Sequence, residues 1–292
     1  NTSSFTQITS STFSTFSSQT IPFSDFDGSS ITFSFFFYPV TNVDGNSEGF
    51  LYDTDAPQVT QVTDTTGNAL NFVNGISSDG TRIVFWSRDD FTGNNADGNV
   101  EIFMYDSSLN MFTQVTDIIG GSASNFASAF PDVSADGSTI VFQSRNDHVN
   151  ENGDGNVEIF SYDVATGMIT QITHTSGVSN IQPSVNGDGT RIVFGSNANI
   201  TNQNPNGWNQ VFLYHVPSDM FTQFLRATNT AGGQFPDIDG DGDRIVFEFG
   251  FAPTEIVLAE CGGGGDSDGD GVDDADDLCP DSNTDANVVI DG

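Results

Sequence analysis

The chain contains no lysine, and its six basic residues are all arginines set against 40 acidic ones, so the formal net charge is 6 − 40 = −34. Such a field repels nucleic acid and anionic membrane surfaces, and without lysine there is neither a phosphate-binding ammonium nor a Schiff base. Histidine is scarce, at three residues, and His148, His174 and His215 fall at unrelated places. There is no paired-histidine motif and no cysteine beside a histidine. No run approaches the 18 or so apolar residues of a membrane-spanning helix, and Asn1-Thr2-Ser3-Ser4 lacks the basic and apolar regions of a signal peptide, as expected of a mature secreted chain. Two cysteines are too few for a disulfide scaffold. What is plentiful is phenylalanine, 27 residues of it, enough to build a core in an otherwise polar sequence.

Those phenylalanines sit in repeats. DGSSITF from Asp27, DGTRIVF from Asp79, DGSTIVF from Asp136, DGTRIVF from Asp188 and DGDRIVF from Asp241 recur at intervals of 52, 57, 52 and 53 residues. Asp-Gly before an alternating β-branched and aromatic run is a hairpin turn feeding a strand. A second strand phrase follows in four units and ends at Asp53, Asp106, Asp163 and His215, and a Thr-Gln pair begins eight residues after each of its tyrosines, Tyr52, Tyr105, Tyr162 and Tyr214. With the segment entering the Asp-Gly turn, each unit has four antiparallel strands in about 53 residues, the period of a β-propeller blade. The fifth unit runs out after Glu255-Ile256-Val257-Leu258, whereas Phe5-Thr6-Gln7-Ile8-Thr9 matches Phe112-Thr113-Gln114-Val115-Thr116. The expectation is an all-β, five-bladed β-propeller of four-stranded antiparallel blades over residues 1–260, its last blade closed by the N-terminal strand.

These phrases resemble the TolB-like or WD40-like (PD40) propeller repeats of bacterial exported proteins, in which a Pro/Ser-containing strand, an Asp-Gly turn and an Ile-x-Phe strand follow one another. The resemblance covers roughly residues 5–259 and implies an architecture rather than an activity, because many such propellers are binding or scaffold modules.

A Gly-rich linker, residues 261–265, leads to a segment with ten aspartates in 27 residues, 266–292. Alternate carboxylates in a glycine-kinked loop converge hard oxygens, as calcium requires. Asp266, Asp268, Asp270, Gly271, Asp273, Asp276, Cys279 and Pro280 resemble a thrombospondin type 3 repeat. That likeness implies Ca2+ on Asp266, Asp268, Asp270 and Asp273, with Asp276 and Asp277 less firmly placed, in a short irregular tail whose relatives continue to further cysteines. Cys261–Cys279 pairing and a distant partner for Cys279 both stand open.

A weaker cation pattern lies between the second and third strands: Asp44, Asn46 and Glu48; Asp97, Asn99 and Glu101; Asp154, Asn156 and Glu158. Turn formation explains Asp-Gly-Asn equally well. Asp237 to Asp243 resembles a calcium loop but occupies the ordinary hairpin, which is the preferred assignment.

For function, three classes follow. The favoured one is a secreted or cell-surface structural protein, self-associating or bound to other extracellular protein or glycan, as in an extracellular filament. Trp86 and Trp208 raise a lectin-like module, although packing in a sheet and capping a loop account for them. Asp25, Asp132 and Asp237, near the starts of inner strands, raise a glycosidase, for which a facing carboxyl pair is required.

Overall fold

The computed structural model describes residues 22–25, 28–35, 42, 46–66, 70–119, 128–223, 233–250 and 255–260. The strand expected at Phe5–Thr9, both cysteines and the acidic segment 266–292 lie outside these residues, as do Asp27 and Asp44. Two compact units, Asn1–Asp117 and Ile118–Gly292, divide the chain.

The first unit holds two four-stranded antiparallel sheets. One runs β1 (Phe23–Ser24), β2 (Ser30–Phe35), β3 (Glu48–Asp53), β4 (Gln58–Gln61); the next runs β5 (Phe72–Ile76), β6 (Arg82–Ser87), β7 (Glu101–Asp106), β8 (Met111–Gln114). The second unit repeats the pattern with β9 (Ser128–Val133), β10 (Thr139–Ser144), β11 (Glu158–Asp163), β12 (Met168–Gln171), and again with β13 (Asn180–Val185), β14 (Arg191–Ser196), β15 (Gln210–His215), β16 (Met220–Gln223). Its last sheet has three described strands, β17 (Gly233–Ile238), β18 (Arg244–Phe249) and β19 (Glu255–Glu260). Sequential strands are neighbours throughout, so each repeat forms a meander.

The Asp-Gly hairpins at Asp79, Asp136 and Asp188 share one chemistry. In the second sheet Gly80 takes φ 70° and its N–H donates to Ser77 O at 2.9 Å, while Asp79 Oδ1 accepts from Thr81 N at 3.0 Å and Ser77 Oγ at 2.6 Å. Glycine is the residue that tolerates this left-handed conformation, and the aspartate carboxylate ties down the turn N–H groups. The loop beginning at Asp237 is likewise a hairpin: Gly242 N donates to Asp239 O at 3.1 Å, and Asp239 Oδ1 accepts from Asp243 N and Arg244 N. The cationic group in contact there is the Arg191 guanidinium, 2.8 Å from Gly242 O and 3.1 Å from Asp243 Oδ1.

Three of the four Ile-Val-Phe strands are buried on both faces because successive residues serve different neighbours, whereas Val246 of the last sheet is 38 % exposed. In the second unit Ile192 and Phe194 join Val141 and Ile159 of the preceding sheet, whereas Val193 joins Ile245, Phe247 and Val257 of the following one. Directly opposite phenylalanines stack across the central strand pair in four sheets, Phe33 on Phe50, Phe85 on Phe103, Phe142 on Phe160 and Phe194 on Phe212, at 5.6–5.8 Å between centroids. Such pairs add specific packing to the burial of area. The corresponding pair of the last sheet is Phe247 with Val257.

Candidate functional site

Glutamate begins β3, β7 and β11, and the register places Glu48, Glu101 and Glu158 opposite Phe35, Ser87 and Ser144. All three are at most 1 % exposed. A buried carboxylate must be surrounded by donors, and Glu158 is. Asn156 Nδ2 donates to Oε1 at 2.8 Å, Thr175 donates to the same oxygen through its N–H at 2.7 Å and its hydroxyl at 2.9 Å, and Oε2 accepts from Asn180 Nδ2 at 2.8 Å and from the Thr173 hydroxyl. Glu48 repeats the set with Asn46, Thr63, Thr65 and Asn71. Glu101 accepts from Thr116 Oγ1, which itself accepts from Ile102 N at 2.9 Å. These glutamates therefore tie the third strand of a sheet to the chain leaving its fourth strand and, through Asn71 or Asn180, to the first strand of the next sheet.

The adjoining loop is held by a residue that sequence reasoning passed over. Asn152 Nδ2 donates to Arg145 O at 3.2 Å and Asn156 O at 3.0 Å, clamping both ends, and Asn95 and Asn204 do the same in their loops. The repeated signal was available as Asn95, Asn152 and Asn204 at the repeat period. Of the weaker cation pattern, Asp154 Oδ2 accepts from Gly177 N at 3.2 Å and Asp97 Oδ2 from Asn99 Nδ2 at 3.3 Å, while Asn156 turns its amide N–H toward Glu158. Among the described residues no group of three or more His, Cys, Asp or Glu converges as a metal site.

A second concentration of unusual geometry lies in the first strands of the sheets in the second unit. Phe130, Gln182 and Phe235 have φ of 53°, 57° and 50°, each directly before a proline, where the strand bulges. Positive φ is strained for a side-chain-bearing residue and needs external support. Support comes from sheet to sheet: Gln143 Oε1 accepts from Gln182 N at 2.7 Å, and Gln182 Oε1 accepts from Phe235 N at 3.0 Å. Phe235 is 51 % exposed there and Phe130 36 %.

Beside these rings, Asp132 Oδ2 accepts from Val185 N at 3.0 Å and Ser184 Oγ donates to Asp237 Oδ1 at 2.9 Å. Both aspartates are the fifth of six residues in their strands, nearer the end than the expected start. Asp25 belongs to a different place: it follows β1, its N–H donates to Ser30 O as that of Ser134 does to Thr139 O, and Oδ2 accepts from Ser29 Oγ. The three aspartates thus do not share one repeat position.

Asp132 is a half-buried residue whose pKa is pushed up to about 6, first by lost hydration and further by the charge of Asp237, against hydrogen bonds from Val185, Val133 and Ser184. Its folded value exceeds the unfolded one, so its contribution to stability is fully present below the unfolded value of 3.8 and lost as pH rises through about 6. Asp132→Asn is expected to flatten that decline. The urea midpoint at about pH 4 minus that at about pH 7.5, taken with its sign because buried His148 titrates in the opposite direction over this range, should be lower in the variant than in the wild type; an unchanged signed difference would contradict the assignment.

The exposed His174 Nε2 lies 2.8 Å from Glu151 Oε2, and His215 Nδ1 lies 2.8 Å from Ser218 Oγ. Trp86 stacks on Phe72 at 4.6 Å within its sheet, and Trp208 exchanges backbone bonds with Asn204 across its loop.

Comparison with solved structures places this geometry. TolB from Acinetobacter baumannii superimposes with a TM-score of 0.55 at 16 % identity, over 82 % of this chain and 51 % of that one. The fold is that of a TolB-like β-propeller. A putative TolB from Agrobacterium tumefaciens gives 0.55 at 21 %, over 82 % of this chain and 76 % of that one, and the β-propeller domain of the Pyrococcus furiosus Trilobed protease, described as having an open velcro topology, gives 0.52 at 11 %, over 82 % and 67 %. No protein-family profile and no curated protein sequence matches the chain. At these identities the likeness concerns the fold, and this chain spans about half the length of the Acinetobacter protein. Five meander sheets at the repeat period agree with the expected propeller class, and among the described residues no helix is long and apolar enough to cross a membrane.

Proposed function

We propose that the chain is a secreted or cell-surface structural module, the subunit of an extracellular assembly such as a filament, with a C-terminal segment stiffened by Ca2+. The observation that carries this reading is that β19 is paired on one side alone among the described residues. In the other four sheets the third strand is flanked by a fourth, whereas among the described residues β19 pairs only with β18 and exposes Ile256 at 72 % and Leu258 at 50 %. An apolar strand edge of this kind is a template for an added strand. Phe5–Thr9 has the sequence of a fourth strand and completes a five-bladed propeller when supplied by its own chain, or links subunits when supplied by a neighbour.

The acidic side chains of the repeats support a structural role, since Glu48 and Glu158 are engaged in holding strands together. For the tail, the reading rests on the thrombospondin type 3 pattern of Asp266, Asp268, Asp270, Asp273, Asp276 and Asp277, which calcium neutralises.

Removal of residues 1–9 tests the added strand. The melting temperature is expected to fall by about 4–8 °C or more, corresponding to a few kcal/mol, and a synthetic peptide of residues 3–11 is expected to restore it. An unchanged melting temperature and no effect of the peptide would refute this.

A binding module is the second reading, favoured by the exposed, strained Phe130 and Phe235, which resemble side chains presented to a partner. Glycan-array binding that disappears in a Phe130→Ala, Phe235→Ala double variant would favour it over assembly.

A further inference from the structure

Methionine is scarce, at four residues, and all four lie in strands. Met104, inside β7, is 5 % exposed. Met111, Met168 and Met220 are 58, 64 and 56 % exposed, and each is the first residue of the fourth strand of its sheet, β8, β12 and β16.

The hairpin dictates that exposure. Asn110, Gly167 and Asp219 take φ of 52°, 72° and 55°, so the chain reverses directly before each methionine, and the register sets it opposite Asp106, Asp163 or His215. The next residue turns inward in the second and fourth sheets. Phe112 stacks at 4.7 Å on Phe91, which fills a slot edge-on to Phe85 and Phe103, and Phe221 meets Tyr214 at 4.8 Å. Alternation along the strand turns the methionine away from that packing. In the first sheet Gln58 holds the same place and is also exposed. A polar side chain serves there, so the strand does not need a thioether for its packing.

A thioether in water has two kinds of chemistry, as a ligand for a soft metal ion and as an acceptor of an oxygen atom. A soft metal ion takes several sulfur or imidazole ligands at one centre. These methionines each open a strand in a different sheet, and none of the three strands carries a second sulfur. Oxygen transfer needs one accessible sulfur alone. The charge of −34 bears on the oxidant. Across from Met111 and Met168, hydrogen bonds from Ser108 and Thr166 hold Asp106 and Asp163 below the usual carboxylate range, so both are ionised at neutral pH. That field repels anionic oxidants and leaves neutral ones unhindered.

We propose that Met111, Met168 and Met220 are modification sites at which hydrogen peroxide transfers one oxygen atom to each thioether while the fold is kept. The sulfur lone pair attacks one peroxide oxygen and the O–O bond breaks. The departing hydroxide takes the proton of the transferred oxygen and leaves as water, so sulfur is oxidised to the sulfoxide and the peroxide is reduced. A polar sulfoxide suits a side chain already in solvent, whereas at Met104, opposite the fully buried Val84, it would disrupt the core. These sites are independent of the assembly reading, since none of them lies on β19.

The test exposes the full-length protein to hydrogen peroxide and follows each methionine by peptide mass spectrometry. Met111, Met168 and Met220 are each expected to gain one oxygen, with Met104 slower by about tenfold or more. With the three oxidised, the melting temperature is expected to move by less than about 2 °C, and methionine sulfoxide reductases A and B with a thiol reductant are expected to remove the added oxygen. Oxidation of Met104 as fast as the exposed three, or any of the three still unmodified once Met104 has reacted, would overturn the proposal. So would a larger fall in melting temperature that is absent from the Met111→Leu, Met168→Leu, Met220→Leu triple variant treated in the same way.

Discussion

Glu158→Ala is expected to lower stability by about 3–5 kcal/mol, the largest loss of any single substitution considered, because five donors lose their acceptor at once. Asn156, Thr173, Asn180 and both groups of Thr175 converge on the carboxylate, and the residue is 0 % exposed. A single buried donor left unsatisfied costs about 1–3 kcal/mol, partly recovered if water enters the space. Glu158→Gln retains the shape but replaces one acceptor oxygen with an NH2 facing other donors, so it should cost less, about 2 kcal/mol, and still more than an exposed substitution. The measurement is the urea midpoint at constant slope. A shift for Glu158→Ala equivalent to less than about 1 kcal/mol would show that the node does not hold the sheets together.

The second large effect concerns acid. His148 occupies the slot position that Phe91 has in the second sheet, its ring edge-on to Phe142 at 5.6 Å and Phe160 at 5.0 Å, with Nε2 2.9 Å from Ser144 Oγ. Burial pushes its pKa down to about 4, against a smaller opposing pull from the charge of Asp147. The folded value lies below the unfolded 6.5, so the neutral ring is favoured in the native state. Stability is complete above about pH 6.5 and is lost as pH falls toward 4, by up to about 3 kcal/mol at 1.36 kcal/mol per unit. His148→Phe should remove this acid loss while filling the same slot. Over the same range Asp132 works in the opposite direction, so the slope of the single variant is the informative quantity, and the double variant with Asp132→Asn should be nearly flat with respect to these two groups. If His148→Phe loses stability between about pH 6.5 and about pH 4 as steeply as the wild type, burial of the neutral imidazole is not the cause.

The repeat was legible because its determinants are local. Asp79 and Gly80 make their turn with residues two and three away, and Ile-Val-Phe reports burial on both faces without reference to anything distant. The buried glutamates were harder to read. Glu158 meets Thr173 and Thr175 from 15 and 17 residues away and Asn180 from 22, so a window across Asp154-Gly155-Asn156-Val157-Glu158 shows only the acidic half of the arrangement and suggests a cation. The recurring Thr63-Asp64-Thr65 and Thr173-His174-Thr175 carried the other half. Asp25, Asp132 and Asp237 fall together as residues near the starts of inner strands, yet Asp25 stands two residues before its Asp-Gly pair and the other two stand four before theirs. The strand pairing separates them accordingly, with Asp25 beyond β1 and Asp132 and Asp237 inside β9 and β17.

Light scattering of the purified full-length protein, with calcium and after chelation, tests the central claim most directly. A chain carrying −34 should pack against copies of itself only when cations offset the repulsion. The account predicts particles of many subunits in calcium that fall apart on chelation and fail to form when residues 1–9 are removed. A monomer at high concentration under every condition would contradict it.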